Sequence, residues 1–251
     1  DEYGVERCTG VSCSGFAQIG TTASATYTDA TATANTTYNY RVRALKAGGL
    51  DSGYSNSVET TTAPAAPTGL GAVAGSVPST QIDLSWTEST GATDYKVERC
   101  TGSGSGCTPN TEIASTTGGA VTYGDTNLTS NTEYCYHVIA TSAAGSSPPS
   151  NVACLTTSVA LPDEPTALAV TAITAGEVDL TWTDNANNET GFRIERCTGT
   201  TAACNDIDFT QIAEVATVDL ESYSDLTTLE NTTYTYRVRA YNTGGASAPS
   251  N

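Results

Sequence analysis

Residues 134–140 read YCYHVIA, and large apolar side chains take every second position of this stretch. The apolar series consists of Tyr134, Tyr136, Val138 and Ala140, and the intervening series of Cys135, His137 and Ile139. Alternation with a period of two is typical of a β-strand that buries one face and leaves the other in solvent. The stretch therefore predicts a strand whose tyrosines and Val138 face a core, with Cys135 and His137 on the solvent face.

The same alternation recurs in residues 82–86 and 178–182, each of which ends at a tryptophan. Clusters of Gly, Pro, Asn and Ser separate such stretches, as is typical of turns between short strands. No stretch has the spacing of a long amphipathic helix. The sequence therefore predicts an all-β protein built of antiparallel β-sandwiches.

Three segments of the chain repeat one another. The motif Glu-Arg-Cys-Thr-Gly occurs at residues 6–10, 98–102 and 195–199, and Asn-Thr-x-Tyr-x-Tyr occurs at residues 35–40, 131–136 and 231–236. Equivalent residues lie 92 to 100 positions apart, from Cys8 to Cys100 and from Tyr134 to Tyr234. That period is too long for a solenoid unit and fits a small sandwich domain.

The chain of 251 residues is strongly acidic, with a net charge of −17. Binding to phosphate backbones needs clustered Lys and Arg, so this balance argues against a nucleic-acid partner and equally against an anionic membrane surface. No apolar run is long enough to insert into a membrane. Acidity of this kind keeps an extracellular protein soluble.

These features resemble the fibronectin type III family, a group of immunoglobulin-like β-sandwiches. The resemblance rests on a proline before the first strand, a tryptophan at the end of the second, and Thr-x-Tyr-x-Tyr-x-Val-x-Ala in the sixth. It implies that Trp86 and Trp182 belong to the core. It also implies that Tyr38, Tyr134 and Tyr234 form tyrosine corners, in which the hydroxyl binds backbone at the turn between strands.

In the family a leucine commonly precedes the corner tyrosine by six residues. Leu128 fits that pattern, whereas Ala32 and Thr228 depart from it. We expect Leu226 or Leu229 to compensate in the third repeat.

The repeats divide the chain into three fibronectin type III domains of unequal extent. Residues 64–157 form a complete domain, residues 158–251 a domain that lacks most of its last strand, and residues 1–63 a partial domain that lacks strands A and B. Without those two strands the first domain exposes apolar residues. Either preceding sequence or strands donated by a neighbouring molecule must close it, and the pattern favours a segment of a longer tandem array.

The eight cysteines are spaced for local disulfides. One pair follows the third strand in each of the three repeats: Cys8 with Cys13, Cys100 with Cys107, and Cys197 with Cys204. The fourth pair, Cys135 with Cys154, joins the last two strands of the middle domain. Metal binding is the alternative, but no Cys-x-x-Cys pair or histidine cluster completes a tetrahedral site. Disulfides imply an oxidising, extracellular compartment.

No constellation of residues indicates catalysis or a cofactor. The single histidine, His137, has no nucleophile or carboxylate pattern around it and is interpreted as a surface residue. Residues 184–189 read DNANNE and carry oxygen ligands that suit Ca²⁺, but they lack the spacing of an EF-hand. A polar turn is the preferred interpretation of that loop, so the sequence predicts no metal site.

Charged residues on the solvent face are expected to pair across neighbouring strands. Glu6 and Glu195 lie on the third strand, and the sixth strand carries Arg41, Arg43, Arg237 and Arg239. In the middle domain His137 and Ile139 replace the arginines. Its less charged face is a candidate packing surface between subunits.

The first hypothesis for function is therefore a non-enzymatic extracellular structural protein that forms a rod or filament, with other copies of itself as partners. A spacer or accessory module of a larger secreted carbohydrate-active enzyme is the alternative. An adhesin that binds a cell-surface glycan or protein is the third hypothesis, with Tyr54 and Tyr241 as the exposed aromatic candidates.

Overall fold

The computed structural model describes residues 2–102 and 107–251 and is all-β. The chain separates into two compact units, Asp1–Thr157 and Ser158–Asn251. Within the described part of the chain, no helix has the length and hydrophobicity needed to cross a bilayer.

The first segment forms a single antiparallel sheet with the strand order β2-β1-β3-β4. Its strands are β1 Glu2–Thr9, β2 Ala17–Thr22, β3 Thr37–Leu45 and β4 Val58–Thr61. Residues 2–63 are all described, and among them no second sheet packs on this one. Residues 26–29 form no strand, although the equivalent residues of the other repeats do. The strand that pairs with them in those repeats has no counterpart in residues 2–63.

The middle repeat is a two-layer sandwich. One layer has the order β5-β6-β9, and the other has the order β11-β10-β7-β8 with β12 also paired to β10. The strands are β5 Thr68–Ala74, β6 Ile82–Thr87, β7 Asp94–Thr101, β8 Thr111–Thr116, β9 Thr122–Asp125, β10 Glu133–Ser142, β11 Gly145–Pro149 and β12 Ala153–Thr156. Its core includes Trp86, Tyr95, Leu128 and Tyr136, contributed by both layers.

The third repeat has the same two layers, β13-β14-β17 and β16-β15-β18-β19. The strands are β13 Thr166–Thr174, β14 Glu177–Thr183, β15 Gly191–Thr198, β16 Thr210–Val215, β17 Ser222–Asp225, β18 Tyr234–Asn242 and β19 Gly245–Ala246, with a short 3-10 helix at Asp206–Asp208. Trp182, Phe192 and Val238 lie in its core.

The repeated asparagine of the Asn-Thr-x-Tyr motif has a conformational role. Asn35, Asn131 and Asn231 all adopt a left-handed backbone, with φ of 46°, 50° and 52°. Asparagine tolerates this region better than most residues, because its short polar side chain forms local hydrogen bonds. The motif thus specifies the turn that leads into β3, β10 and β18.

Cys135 and His137 lie outside the core cluster, as predicted, but the expectation that they are exposed to solvent is wrong. Cys135 is fully buried and His137 is only 9% exposed. β10 is the central strand of its layer, so neighbouring strands cover both of its flanks. The ring of His137 is also held against a carboxylate of β7, since its Nε2 lies 2.6 Å from Oε2 of Glu98.

Candidate functional site

The sheet of the first segment leaves one face open. Tyr3 of β1 and Val42 of β3 are 43% and 39% exposed, whereas Tyr95 and Val138, at the same register in the middle repeat, are fully buried. The open face borders a cavity of about 750 Å³. We call this surface, formed around Tyr3, Val5, Tyr27, Tyr40 and Val42, the open face.

Tyr27 partly covers the open face. Its hydroxyl donates a hydrogen bond to the carbonyl of Ile19 at 3.1 Å, and its ring lies against Gly20, where a Cβ atom would stand 2.3 Å from the hydroxyl oxygen. The middle repeat has Ala114 at the position of Gly20. The absence of a Cβ atom at Gly20 therefore leaves room for the ring of Tyr27, whose equivalents in the other repeats are Tyr123 and Tyr223.

A buried carboxylate recurs in all three repeats, and we call each instance an Arg–Asp–Tyr cluster. In the third repeat, Asp225 accepts hydrogen bonds from Nη1 of Arg196 at 2.6 Å and from the hydroxyl of Tyr236 at 2.9 Å. Thr227 donates to its other oxygen through the backbone N–H and the side-chain hydroxyl. The equivalent clusters are Arg7, Asp29 and Tyr40, and Arg99, Asp125 and Tyr136.

The electrostatics of the clusters in the first and third repeats keep the carboxylate charged. Burial alone would raise the pKa of Asp225, but the hydrogen bonds from Thr227, Tyr236 and Arg196 lower it below its usual range. Asp29 shows the same balance and the same direction of pKa shift. Burial, followed by the hydrogen bond to Asp225, raises the pKa of the Tyr236 phenol. Because arginine and tyrosine both donate hydrogen bonds to the same aspartate, the clusters act as cross-links between strands.

The predicted Glu–Arg pairs form on the other face of the first sheet. Oε2 of Glu6 accepts from Nε and Nη2 of Arg41 at 2.9 and 2.7 Å, and Oε1 accepts from the hydroxyl of Tyr54 at 2.7 Å. The guanidinium of Arg41 stacks between the rings of Tyr54 and Phe16. Tyr54 is 42% exposed, and the rest of its side chain contacts the ion pair. Less than half of this candidate ligand-binding aromatic is therefore open to solvent.

The third repeat has a similar arrangement. Arg237 binds both Glu195 and Asp206 and stacks on the ring of Phe209, while Tyr241 lies under the guanidinium of Arg193. Both candidate ligand-binding tyrosines therefore contact arginine side chains.

The eight cysteines form four disulfides: Cys8–Cys13, Cys100–Cys107, Cys135–Cys154 and Cys197–Cys204. Three of them close loops after β1, β7 and β15. The fourth joins directly opposed residues of β10 and β12, whose Cα atoms are 4.0 Å apart.

The tyrosine corners have the hydrogen bond that the resemblance implies. The hydroxyl oxygens of Tyr38, Tyr134 and Tyr234 accept from the backbone N–H of the residue five positions earlier, at 2.9, 3.0 and 3.1 Å. Both tryptophans and the first two tyrosines are buried, but Tyr234 is only partly so.

The expectation that Leu226 or Leu229 compensates for Thr228 is wrong. The two leucines are 68% and 70% exposed, whereas Leu128 of the middle repeat is buried. The corner of the third repeat therefore lacks this leucine, and Tyr234 is less buried than Tyr134. The leucine is not required for burial, since Tyr38 is buried with Ala32 at the same position.

The loop at residues 184–189 uses its amides locally. Asn185 donates to the carbonyl of Glu164 at 2.8 Å, and Asn188 donates to that of Ala160 at 3.1 Å. The carboxylates of Asp184 and Glu189 instead meet Asp219, which comes from the loop between β16 and β17, with one oxygen of each within 4.8 Å of the others. Sequence reasoning missed Asp219 because it lies 30 residues beyond Glu189.

Sequence reasoning also missed the Arg–Asp–Tyr clusters. A signal for them was present, since Asp29, Asp125 and Asp225 each precede the corner tyrosine by nine residues. A charged residue kept at a fixed distance from a structural motif indicates a fixed partner.

Comparison with known proteins identifies the family to which these domains are similar. The fibronectin type III domain model matches residues 65–154 and 163–251. The chain is 32% identical over 255 aligned positions to Exoglucanase B of Cellulomonas fimi, in an alignment that covers 94% of this chain and 22% of that protein. The chain thus spans about a fifth of the length of this curated relative.

Two solved structures are similar at low identity. The chicken CNTN1 FN1–FN3 domains are 18% identical with a TM-score of 0.36, covering 99% of this chain and 86% of that one. A two-domain fibronectin type III segment of chicken tenascin is 14% identical with a TM-score of 0.42, covering 73% and 95%. Because the domain model matches well over half of its residues, this chain belongs to the fibronectin type III family.

Proposed function

We propose that this chain is a non-catalytic spacer within a larger secreted enzyme that acts on a polysaccharide. The observation that carries the proposal is the 32% identity with Exoglucanase B along 94% of the chain, which includes the partial first repeat as well as the two matched domains. Fibronectin type III domains are typically non-catalytic modules, and the four disulfides suit an extracellular location.

The last strands of the first two repeats are anchored to their own domains, as suits a spacer. The hydroxyl of Thr62, just after β4, donates to the carbonyl of Thr33 at 2.6 Å and accepts from the N–H of Thr36 at 3.0 Å. Thr157, just after β12, makes the equivalent bonds to Thr129 and Thr132. Each exit strand is thereby fixed to the tyrosine-corner turn of its own repeat.

The native polypeptide tests this proposal. An antibody raised against the 251-residue chain should detect, in the culture fluid of the source organism, a polypeptide several times larger than 25.7 kDa. Immunoprecipitated material should hydrolyse β-glucan, whereas the 251-residue chain alone should not. Native material that contains this chain and has no glucanase activity would contradict the proposal.

A filament-forming structural protein is the second candidate, and the repetition of one sandwich along the chain favours it. Tandem domains of one kind can associate end to end or laterally with those of another copy. The less charged face of the middle repeat, around His137, is the surface proposed for lateral packing. Electron microscopy of native material separates the candidates, because filaments built of these repeats would support assembly and isolated rods attached to a globular body would support the spacer.

A further inference from the structure

Three carboxylates converge at one end of the third repeat. Asp184 and Glu189 belong to the loop between β14 and β15, and Asp219 belongs to the loop between β16 and β17. One carboxylate oxygen from each lies within 4.8 Å of the other two. Like charges held this close repel one another, so the arrangement is unfavourable unless a cation balances it.

The burial of Glu189 distinguishes this site from an ordinary cluster of acidic residues at the surface. It is only 7% exposed, and its Oε2 atom is buried with no hydrogen-bond partner among the described residues. Its other oxygen, Oε1, accepts from the backbone N–H of Asp219 at 3.2 Å, which fixes the carboxylate in the cluster. An unpaired buried carboxylate oxygen is costly and is expected to have a ligand.

The surroundings of Asp184 are also negative. The backbone N–H of Asp184 donates to Oε1 of Glu221 at 3.5 Å, so a fourth carboxylate lies beside the cluster. A bound cation would offset the repulsion among these negative charges.

We propose that Asp184, Glu189 and Asp219 bind a divalent cation, and that this cation is Ca²⁺. All three ligand atoms are carboxylate oxygens. This argues against zinc, which favours His and Cys ligands. Ca²⁺ accepts six to eight oxygens in irregular geometry, so water and backbone carbonyls would have to complete the shell that the three carboxylates begin. Mg²⁺ requires near-octahedral geometry and fits such a site less well.

The middle repeat provides an internal comparison. The register of β6 with β9 and of β14 with β17 places Gly119 at the position of Asp219 and Val121 at that of Glu221. Gly119 and Asp219 both have a left-handed backbone, with φ of 74° and 53°. Glu88, at the position of Asp184, is exposed. The site is therefore specific to the third repeat, where an aspartate takes a conformation that glycine adopts at lower cost.

Binding would tie two loops together at one end of the sandwich. The β14–β15 loop and the β16–β17 loop each run from one layer to the other, so a shared cation would link two connections between the layers. A ligand that binds only the folded state raises stability in proportion to the logarithm of its concentration. Ca²⁺ should therefore stabilise the third repeat.

The test is isothermal titration calorimetry with CaCl₂ on the full 251-residue chain, together with thermal unfolding in EDTA and in about 10 mM CaCl₂ or MgCl₂. We expect a dissociation constant of about 0.1–1 mM for Ca²⁺, in the range of extracellular modules. We expect a rise in melting temperature of the third repeat of about 6–20 °C with Ca²⁺ and a smaller rise with Mg²⁺.

Two variants and a matched control locate the site. Glu189→Gln and Asp219→Gly should each raise the dissociation constant by about tenfold or more, because the number of ligand charges sets affinity. In EDTA both should be at least as stable as the wild type, since each removes repulsion and Asp219→Gly also removes backbone strain. Glu88→Gln, in the middle repeat, should leave Ca²⁺ binding unchanged.

Absence of binding heat and of a thermal shift in the wild type would overturn the proposal. Undiminished Ca²⁺ affinity in both Glu189→Gln and Asp219→Gly would overturn it as well, because the ion would then bind elsewhere. The stability of the variants in EDTA separates loss of the site from loss of the fold.

Discussion

Nη1 of Arg196 lies 2.6 Å from Oδ2 of Asp225, and the side chain of Asp225 is fully buried. The pair connects β15 of one layer with the end of β17 in the other, and Tyr236 of β18 donates to the same oxygen. A buried ion pair is costly to form, yet removing one partner leaves an uncompensated group and is more costly still. The recurrence of this arrangement in the other two repeats indicates that it is a structural cross-link of the fold.

Replacement of Asp225 should destabilise the third repeat. Asp225→Asn keeps the shape but leaves Arg196 without its counter-ion, so we expect a loss of about 3 kcal/mol in the free energy of unfolding at pH 7. Urea unfolding followed by fluorescence measures it. The control is Asp206→Asn, which removes a largely exposed partner of Arg237 and should cost under about 0.5 kcal/mol. Equal costs for the two variants would contradict the structural role of the buried pair.

The same aspartate predicts how stability depends on pH. The pKa of Asp225 is lower in the folded protein than the unfolded reference of about 3.9. A lowered folded pKa contributes stability that is fully present above the unfolded pKa and is lost as pH falls toward the folded pKa. Between about pH 5 and pH 3 the wild type should therefore lose stability faster than Asp225→Asn. Parallel curves of unfolding free energy against pH would contradict this assignment.

The tyrosine corners should differ in strength. Tyr134→Phe leaves the N–H of Thr129 without its acceptor at a buried corner, so we expect a cost of about 1–2 kcal/mol. Tyr234 is partly exposed, and in Tyr234→Phe water can replace the hydroxyl as acceptor for Leu229. That variant should cost about 0.5 kcal/mol. Thermal unfolding of the two variants gives the comparison, and a larger cost at Tyr234 would argue against burial as its cause.

The sequence predicted the sandwich and the corners because both depend on local patterns. Alternation marks the strands, and the left-handed asparagine with its following tyrosine marks the turn. It failed for Cys135 and His137 because periodicity tells which face a residue takes and not how much the neighbouring strands cover that face. It also failed for Asp219, whose meeting with Glu189 depends on the packing of two loops that are distant in sequence.

Truncation of a side chain on the open face should reduce the free energy of unfolding less than the same truncation in a closed core. Val138 is fully buried, and Val138→Ala should cost about 2 kcal/mol because it leaves a cavity. Val42, at the same register of the first sheet, is 39% exposed, and Val42→Ala should cost under about 1 kcal/mol in the 251-residue chain. Chemical denaturation at several protein concentrations measures both costs. A cost for Val42→Ala that rises with protein concentration would show that another copy covers this face.

The disulfide between β10 and β12 should contribute more stability than the loop disulfides. It closes a loop with a sequence separation of 19, compared with 5 for Cys8–Cys13. On the chain-entropy model these loops are worth about 3 and about 2 kcal/mol. The double replacement of Cys135 and Cys154 by alanine also removes a fully buried side chain, so its cost should exceed the entropic value. Thermal unfolding of this variant beside the matching Cys8 and Cys13 double variant tests the order. If the Cys8 and Cys13 variant proved the less stable, the loop after β1 would have to contribute contacts of its own, and the entropic argument would fail for this fold.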